Sequence, residues 1–131
     1  MKLLQQINVK LGVEKVLENP SNYFKKQRIG LICNQASVNH DFRHVADLFF
    51  ENEQINLTAL FGPQHGIRGD VQDNMIETEH TFDKKTNLPV YSLYSETREP
   101  TEEMLRNLDA LVFDLQDVGC RVYTFIYTMA H

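Results

Sequence analysis

At 131 residues, with 42% hydrophobic and 24% charged residues, the chain has the size and make-up of one globular domain with a real core. Thirteen Lys+Arg against eighteen Asp+Glu leave a net charge of −5, which argues against binding nucleic acid or an anionic membrane through bulk charge. The longest uncharged apolar run falls far short of the ~18 residues a bilayer span needs, so no membrane insertion is expected.

The first residues break their apolar character at Gln5-Gln6 and show neither a signal-type apolar run nor a small-residue cleavage site. As written, the chain is expected in the cytoplasm, with a periplasmic or secreted location if a signal lies upstream. No repeat, low-complexity tract or Gly/Ser linker divides it, so 1–131 reads as one unit. A short helix is predicted over Val9–Glu18, stopped by Pro20-Ser21-Asn22. Arg28–Cys33 (RIGLIC) reads as a buried strand. Asn39 or Asp41 is the expected cap of a helix over Phe42–Asn52, with Phe42, Val45, Ala46, Phe49 and Phe50 on one face. Leu57–Phe61 is a second strand, ended by Gly62-Pro63, and a long polar stretch without period follows from His65 to Asn87. Pro89–Leu93 is a third strand. Pro100 to Glu103 opens a helix running to Leu108, with acidic residues at its positive end. Ala110–Leu115 is a fourth strand, and Val122–Ala130 a final helix.

Short apolar strands alternating with amphipathic helices imply an α/β domain, its mainly parallel sheet covered on both faces and its crossovers right-handed. In such sheets ligands bind beyond the carboxyl ends of the strands. Those ends carry Asn34 to Ser37, then Gly62 to Asp70, then Ser92 to Ser95, then Asp114 to Thr124, so polar side chains are expected to converge on one edge. The polar stretch beginning at His65 is expected to form an active-site loop.

GPQHGIRGD (62–70) is either a tight turn with solvated charges or a ligand loop, and it matches neither a dinucleotide fingerprint nor a phosphate-binding P-loop. No cofactor is therefore expected, and a nucleotide site would rest on fold analogy alone. For His65 a structural hydrogen bond competes with catalysis. Asp114 ends an apolar strand, where a carboxylate is costly unless bonded or paired. Arg121 is its expected partner, unless Arg121 instead holds a substrate carboxylate through two parallel bonds. Metal binding by Asp114, Asp117 and His65 lacks a diagnostic spacing, so no metal is expected. Cys33 and Cys120 fit no metal spacing either and read as two buried free thiols. The charged runs Lys84-Lys85 and Glu96 to Glu99 read as solvated surface. Tyr91, Tyr94, Tyr123 and Tyr127 either stack on a sugar or fill the core.

The blocks Gly30 to Gln35, Phe61 to Gly69, Leu88 to Tyr94 and Val112 to Thr124 occur in this order. Together they resemble the exo-β-N-acetylmuramidase family, long catalogued as the DUF1343 domain of unknown function. The last block, with DLQDVG and R-x-Y-T intact, is the specific one. The resemblance covers roughly Arg28 to the end. It implies a Rossmann-like three-layer catalytic domain that removes N-acetylmuramic acid from the non-reducing end of peptidoglycan fragments in cell-wall recycling. The implied partner is a muramyl glycoside or peptidoglycan fragment.

Family members are longer, with a second, smaller C-terminal domain, and this chain stops inside what reads as a helix at Thr128 to His131. It looks like the N-terminal part of that fold. One departure stands out: the family's Pro-Glu-His-Gly loop carries Gln64 in place of the Glu, and a glutamine cannot exchange the catalytic proton. His65 and Asp114 are then the expected acid/base pair, with Glu77 and Asp117 as further acids. Asn34, Gln64, Arg68, Gln116, Arg121 and Tyr123 are the expected substrate contacts, Arg68 or Arg121 clamping the lactyl carboxylate. The alternative is a non-catalytic or vestigial sugar-binding fragment. On either reading, the 131 residues alone are expected to hydrolyse little. They are also expected to self-associate through the truncated sheet edge and the apolar face of Phe125, Ile126 and Met129.

Overall fold

Alternation along one strand sets the architecture. In β1 (Arg28–Cys33), Ile29, Leu31 and Cys33 point to one face of the sheet, and Gly30 and Ile32 to the other. Both faces are buried, so the strand must lie inside a sheet with a layer on each side. The computed structural model describes residues 9–63, 65–69, 81–94, 97–120 and 124–131. Among them the elements run α1 (Gly12–Glu18), β1, α2 (Val45–Glu51), β2 (Asn56–Gly62), β3 (Thr81–Phe82), β4 (Pro89–Ser92), α3 (Glu102–Leu105), β5 (Ala110–Asp114) and α4 (Phe125–Ala130).

The five-stranded sheet has the order β3-β4-β2-β1-β5. Every pairing is parallel except β3 with β4. Val13, Val16 and Leu17 of α1 and Val45, Ala46 and Phe49 of α2 cover one face, against Ile29, Leu31, Leu57, Leu60 and Val90. Met104 and Leu105 of α3 and Phe125 of α4 cover the other, against Ile32, Ala59 and Phe61. This is the three-layer, mainly parallel α/β arrangement expected from the sequence.

β2 changes parity partway along. Leu57 and Leu60 both face the α2 side although they are three positions apart, while Ala59 and Phe61 face the α3 side. The register shifts between Ile29 and Gly30, so that Leu57 pairs with Ile29 but Ala59 with Gly30. Thr58 is therefore the extra residue of a bulge, and its hydroxyl donates to the Ile29 carbonyl at 3.2 Å. The bulge lets β2 bury both faces and still deliver Gly62 to the carboxyl edge.

The helices begin where side chains can accept their first N–H groups. Thr101 caps α3 by accepting from Met104 N–H, with Glu102 and Glu103 in the first turn; the start falls where the sequence predicts, but the helix ends at Leu105 rather than Leu108. α2 departs from expectation. It starts at Val45 rather than Phe42, and its cap is His44, not Asn39 or Asp41. Asn39 Oδ1 instead accepts from Asp41 N–H at 3.1 Å and Arg43 N–H at 2.8 Å. This turn places Phe42 at φ 59° and turns it outward, 85% exposed. Phe42 and Phe50 thus leave the buried face, which Val45, Ala46 and Phe49 keep.

Cys33 is buried but Cys120 is exposed, so the expectation of two buried thiols holds for Cys33 alone. Part of the long stretch after β2 forms β3, a two-residue antiparallel strand that sequence periodicity could not show. Among the described residues, no helix is long and apolar enough to cross a membrane.

Gly30 tests the packing on the α3 face. A Cβ there would lie 2.6 Å from Leu111 Cδ2, 2.7 Å from Leu108 Cδ1 and 2.9 Å from Phe61 Cε2. The leucines can shift, but the fully buried Phe61 ring cannot easily do so. Gly30→Ala is expected to lower stability by ~1–3 kcal/mol in urea titration.

Candidate functional site

The strand order creates a switch point beside β1. The connection from β1 to β2 passes over the α2 face, and that from β4 to β5 over the α3 face. The crevice at the carboxyl ends of β1 and β5 is where open α/β sheets bind ligands. Cys33 and Asp114, the last residues of the two strands, pair directly. Beyond them the Ser37 hydroxyl donates to the Asp114 carbonyl and accepts from Asn34 N–H at 3.0 Å. Asn34 Oδ1 in turn accepts from Ala36 N–H at 2.9 Å. These bonds satisfy the buried polar groups and fix the loop after β1 against β5.

Burial pushes the Asp114 carboxyl above the usual carboxylate range, while the nearby His44 ring and the Ser37 hydroxyl oppose the rise. Arg121, the expected partner of Asp114, lies outside the described residues; among those described, His44 takes the opposing role. His44 Nδ1 accepts from Ala46 N–H at 3.2 Å, so the proton sits on Nε2. That N–H faces the carbonyls of Asn34 at 2.9 Å and Ile67 at 3.0 Å. One imidazole thus joins the start of α2 to the loops after β1 and β2.

The loop after β2 turns tightly, with Gly66 N–H donating to the Pro63 carbonyl at 3.1 Å. His65 and Gly66 both have φ 73°. Gly69 also has positive φ and lies over Gln35, so that a Cβ there would meet the Gln35 Cβ at 3.1 Å. Buried Ile67 anchors the loop in the core. Arg68 locks it: its Nε donates to Asp83 Oδ1 at 3.0 Å, and its Nη2 to Asp83 Oδ2 at 2.9 Å and Asp47 Oδ1 at 2.8 Å. Lys85 Nζ completes the cluster on Asp47 Oδ2 at 2.6 Å. The fork expected to clamp a substrate carboxylate is therefore engaged by two carboxylates of the chain itself.

Asp83 raises Arg68 further above its usual range, against the cost of burial, with Asp47 adding to the effect. Burial opposes ionisation of Asp83, yet Arg68 and the Thr86 hydroxyl and N–H outweigh it and hold the carboxyl at about 2. Asp47 is likewise desolvated and still held below its ordinary value by Arg68 and Lys85.

Of the other expected site residues, Gln116 and Asp117 are exposed, and Asp117 Oδ1 accepts from Gly119 N–H at 3.0 Å. Gln64, Glu77, Arg121 and Tyr123 lie outside the described residues. Asn34 and Asp114 come together, but among the described residues no hydrogen bond or ion pair joins His65 to Asp114. Nor, among those residues, is there a group of three or more His, Cys, Asp and Glu able to hold a metal.

A cavity of about 350 Å³ opens at the same edge, floored by Pro63 after β2 and Leu93 after β4. Its walls are Tyr94, Arg98, Thr124, Tyr127, Thr128 and His131. Sequence reading passed over His44 and Arg98. Asn39 and Asp41 are stronger cap signals than a histidine, and Arg98 sits in a charged run; its spacing of four from Tyr94 was the available clue.

Residues 29–131 match the family described as exo-β-N-acetylmuramidase NamZ, N-terminal. The chain belongs to this family. It is 51% identical over 123 residues to the peptidoglycan β-N-acetylmuramidase NamZ of Bacillus subtilis (strain 168), covering 94% of this chain and 30% of that protein. A crystal structure of a DUF1343 family protein from Bacteroides fragilis NCTC 9343 superposes with a TM-score of 0.81 at 44% identity, covering 92% of this chain and 29% of that one. A second from the same organism gives 0.70 at 32% identity, with 93% and 30% covered. The chain therefore spans under a third of the length of these relatives.

The Arg68 cluster makes a pH prediction. Asp83 is depressed, so its contribution to stability is complete above the unfolded carboxyl value of ~3.9 and is lost as pH falls towards about 2. Asp83→Asn should flatten that part of the acid-unfolding curve. At neutral pH it should cost about 3 kcal/mol, the low end for breaking a buried pair, because Asp47 still holds Nη2. Urea titrations across pH check both.

Proposed function

We propose that the chain contributes the N-terminal part of a glycoside hydrolase that releases N-acetylmuramic acid from the non-reducing end of peptidoglycan fragments, in cell-wall recycling. The observation that carries this is the 51% identity, across 94% of the chain, to a peptidoglycan β-N-acetylmuramidase. The site chemistry supports it. Glycoside hydrolysis needs a carboxylic acid that keeps its proton until the leaving oxygen takes it. Asp114, raised by burial at the switch point, suits that role. Asn34 and the loop bearing His65 border the same crevice through the His44 bonds. Arg121 and Tyr123 remain the substrate contacts implied by the R-x-Y-T motif. The partner on this reading is a muramyl glycoside, and self-association through the edge strand β5 belongs to the same proposal.

A second reading, sugar binding without hydrolysis, is favoured by Gln64, since an amide there cannot act as acid or base. A chromogenic β-glycoside of N-acetylmuramic acid separates the two. Under the hydrolase reading, the full-length protein that contains this chain releases chromophore, and Asp114→Asn in it lowers kcat by at least the ~10²-fold typical of a lost general acid, with the circular dichroism unchanged. Saturable binding without release, even after Gln64→Glu, supports the second reading. Neither binding nor release overturns both.

A further inference from the structure

The geometry points to Arg98 as the residue that reads the carboxylate of an acidic sugar in the cavity at the carboxyl edge. This rests on the proposed muramic-sugar function and assigns its specificity. The protein carries a net charge of −5, yet no Asp or Glu is among the described residues lining this cavity. Arg98 is the permanent cation among the described lining residues, which also include the hydroxyl-bearing Thr124 and Thr128; Glu99 lies outside the lining, 3.8 Å from His131 Nδ1. Its Cζ lies 3.9 Å from the centroid of the Tyr94 ring.

A guanidinium held over a ring at this distance is braced by it without an ion pair, and a face-on stack leaves its N–H groups free of the ring. Those groups lie in the guanidinium plane, so such a stack leaves them directed sideways, where a carboxylate can accept two parallel bonds. Tyr94 is itself placed by its N–H, which donates to the Ser92 hydroxyl at 3.1 Å. The guanidinium is thus oriented before any ligand arrives, which reduces the entropy lost on binding. Tyr127, 62% exposed on the same wall, offers an aromatic face for a pyranose ring.

Arg98 and Arg68 therefore differ in what they can do. Arg68 is held by Asp47 and Asp83, and turning it to a ligand would leave the buried Asp83 without a cation, since among the described residues only Asp47 keeps another, in Lys85. Arg98 is exposed and braced by a ring, so its in-plane donors can turn to a ligand without stranding a buried charge. N-Acetylmuramic acid differs from N-acetylglucosamine by a lactyl ether, and the carboxylate of that ether is the group Arg98 would hold.

The test measures binding of three sugars to the chain by calorimetry: N-acetylmuramic acid, its methyl ester, and N-acetylglucosamine. The acid should bind at least about tenfold more tightly than either neutral sugar, the scale of a charge-assisted bond. Arg98→Ala should bring the acid down to the affinity of N-acetylglucosamine. Arg98→Lys, which keeps the charge but loses the fork, should recover only part of the preference. Equal affinity for acid and ester, or a preference that survives Arg98→Ala, would overturn the assignment while leaving the muramic-sugar reading intact. Failure of all three sugars to bind would overturn that reading, and the assignment with it.

Discussion

A guanidinium largely removed from water must be surrounded by carboxylates, and Arg68 meets that demand with residues from three separate segments. It lies in the loop after β2, Asp47 in α2, and Asp83 in the turn after β3. None of these segments alone specifies where the loop goes. Together they favour one arrangement, because moving any of them breaks at least one charge-assisted bond of the cluster. The loop so fixed lays Gly69 over Gln35 and brings the Ile67 carbonyl to His44. The crevice beside β1 therefore takes its shape from an ion cluster outside it.

His44 carries that constraint to the chemistry. As the cap of α2 it accepts one N–H, and as a donor it faces two loop carbonyls, so both nitrogens are committed. Its ring also counteracts part of the upward push that burial gives Asp114. A histidine in this position links helix start, loop geometry and carboxyl ionisation. A change at position 44 would thus disturb all three together, and such an effect on activity would not by itself identify a proton carrier.

β1 was legible because both its faces are buried, so RIGLIC is a short, nearly continuous apolar run; ALVFD at the β5 edge reads the same way although it is only partly buried and Leu111 is exposed. Helix starts were legible where the cap is a strong acceptor, as at Thr101, and missed where stronger acceptors nearby are used in a turn, as at Asn39. The bulge at Thr58 was hidden because a one-residue parity change looks like noise in a seven-residue strand. At the site, Asn34 and Asp114 could be found by position, since they follow strands in register. The partners of Asp114 and Arg68 could not, because they lie on other segments and only folding brings them close.

The two arginines show why a charge in a glycine-rich motif is a poor guide to ligand binding. Arg68 sits in the more suggestive segment, GPQHGIRGD, and Arg98 in an ordinary charged run. What decides between them is whether a carboxylate is already present. Arg68 has two, held with bidentate geometry on one side, and a ligand would have to displace a partner whose desolvation has already been compensated. Arg98 has a ring against one face, and a ring orients a guanidinium without using its in-plane donors. A partly buried cation paired with two carboxylates builds the loop, and an exposed, braced one is available to what enters the cavity. The division of labour follows from solvation, and it could not be read from the order of residues along the chain.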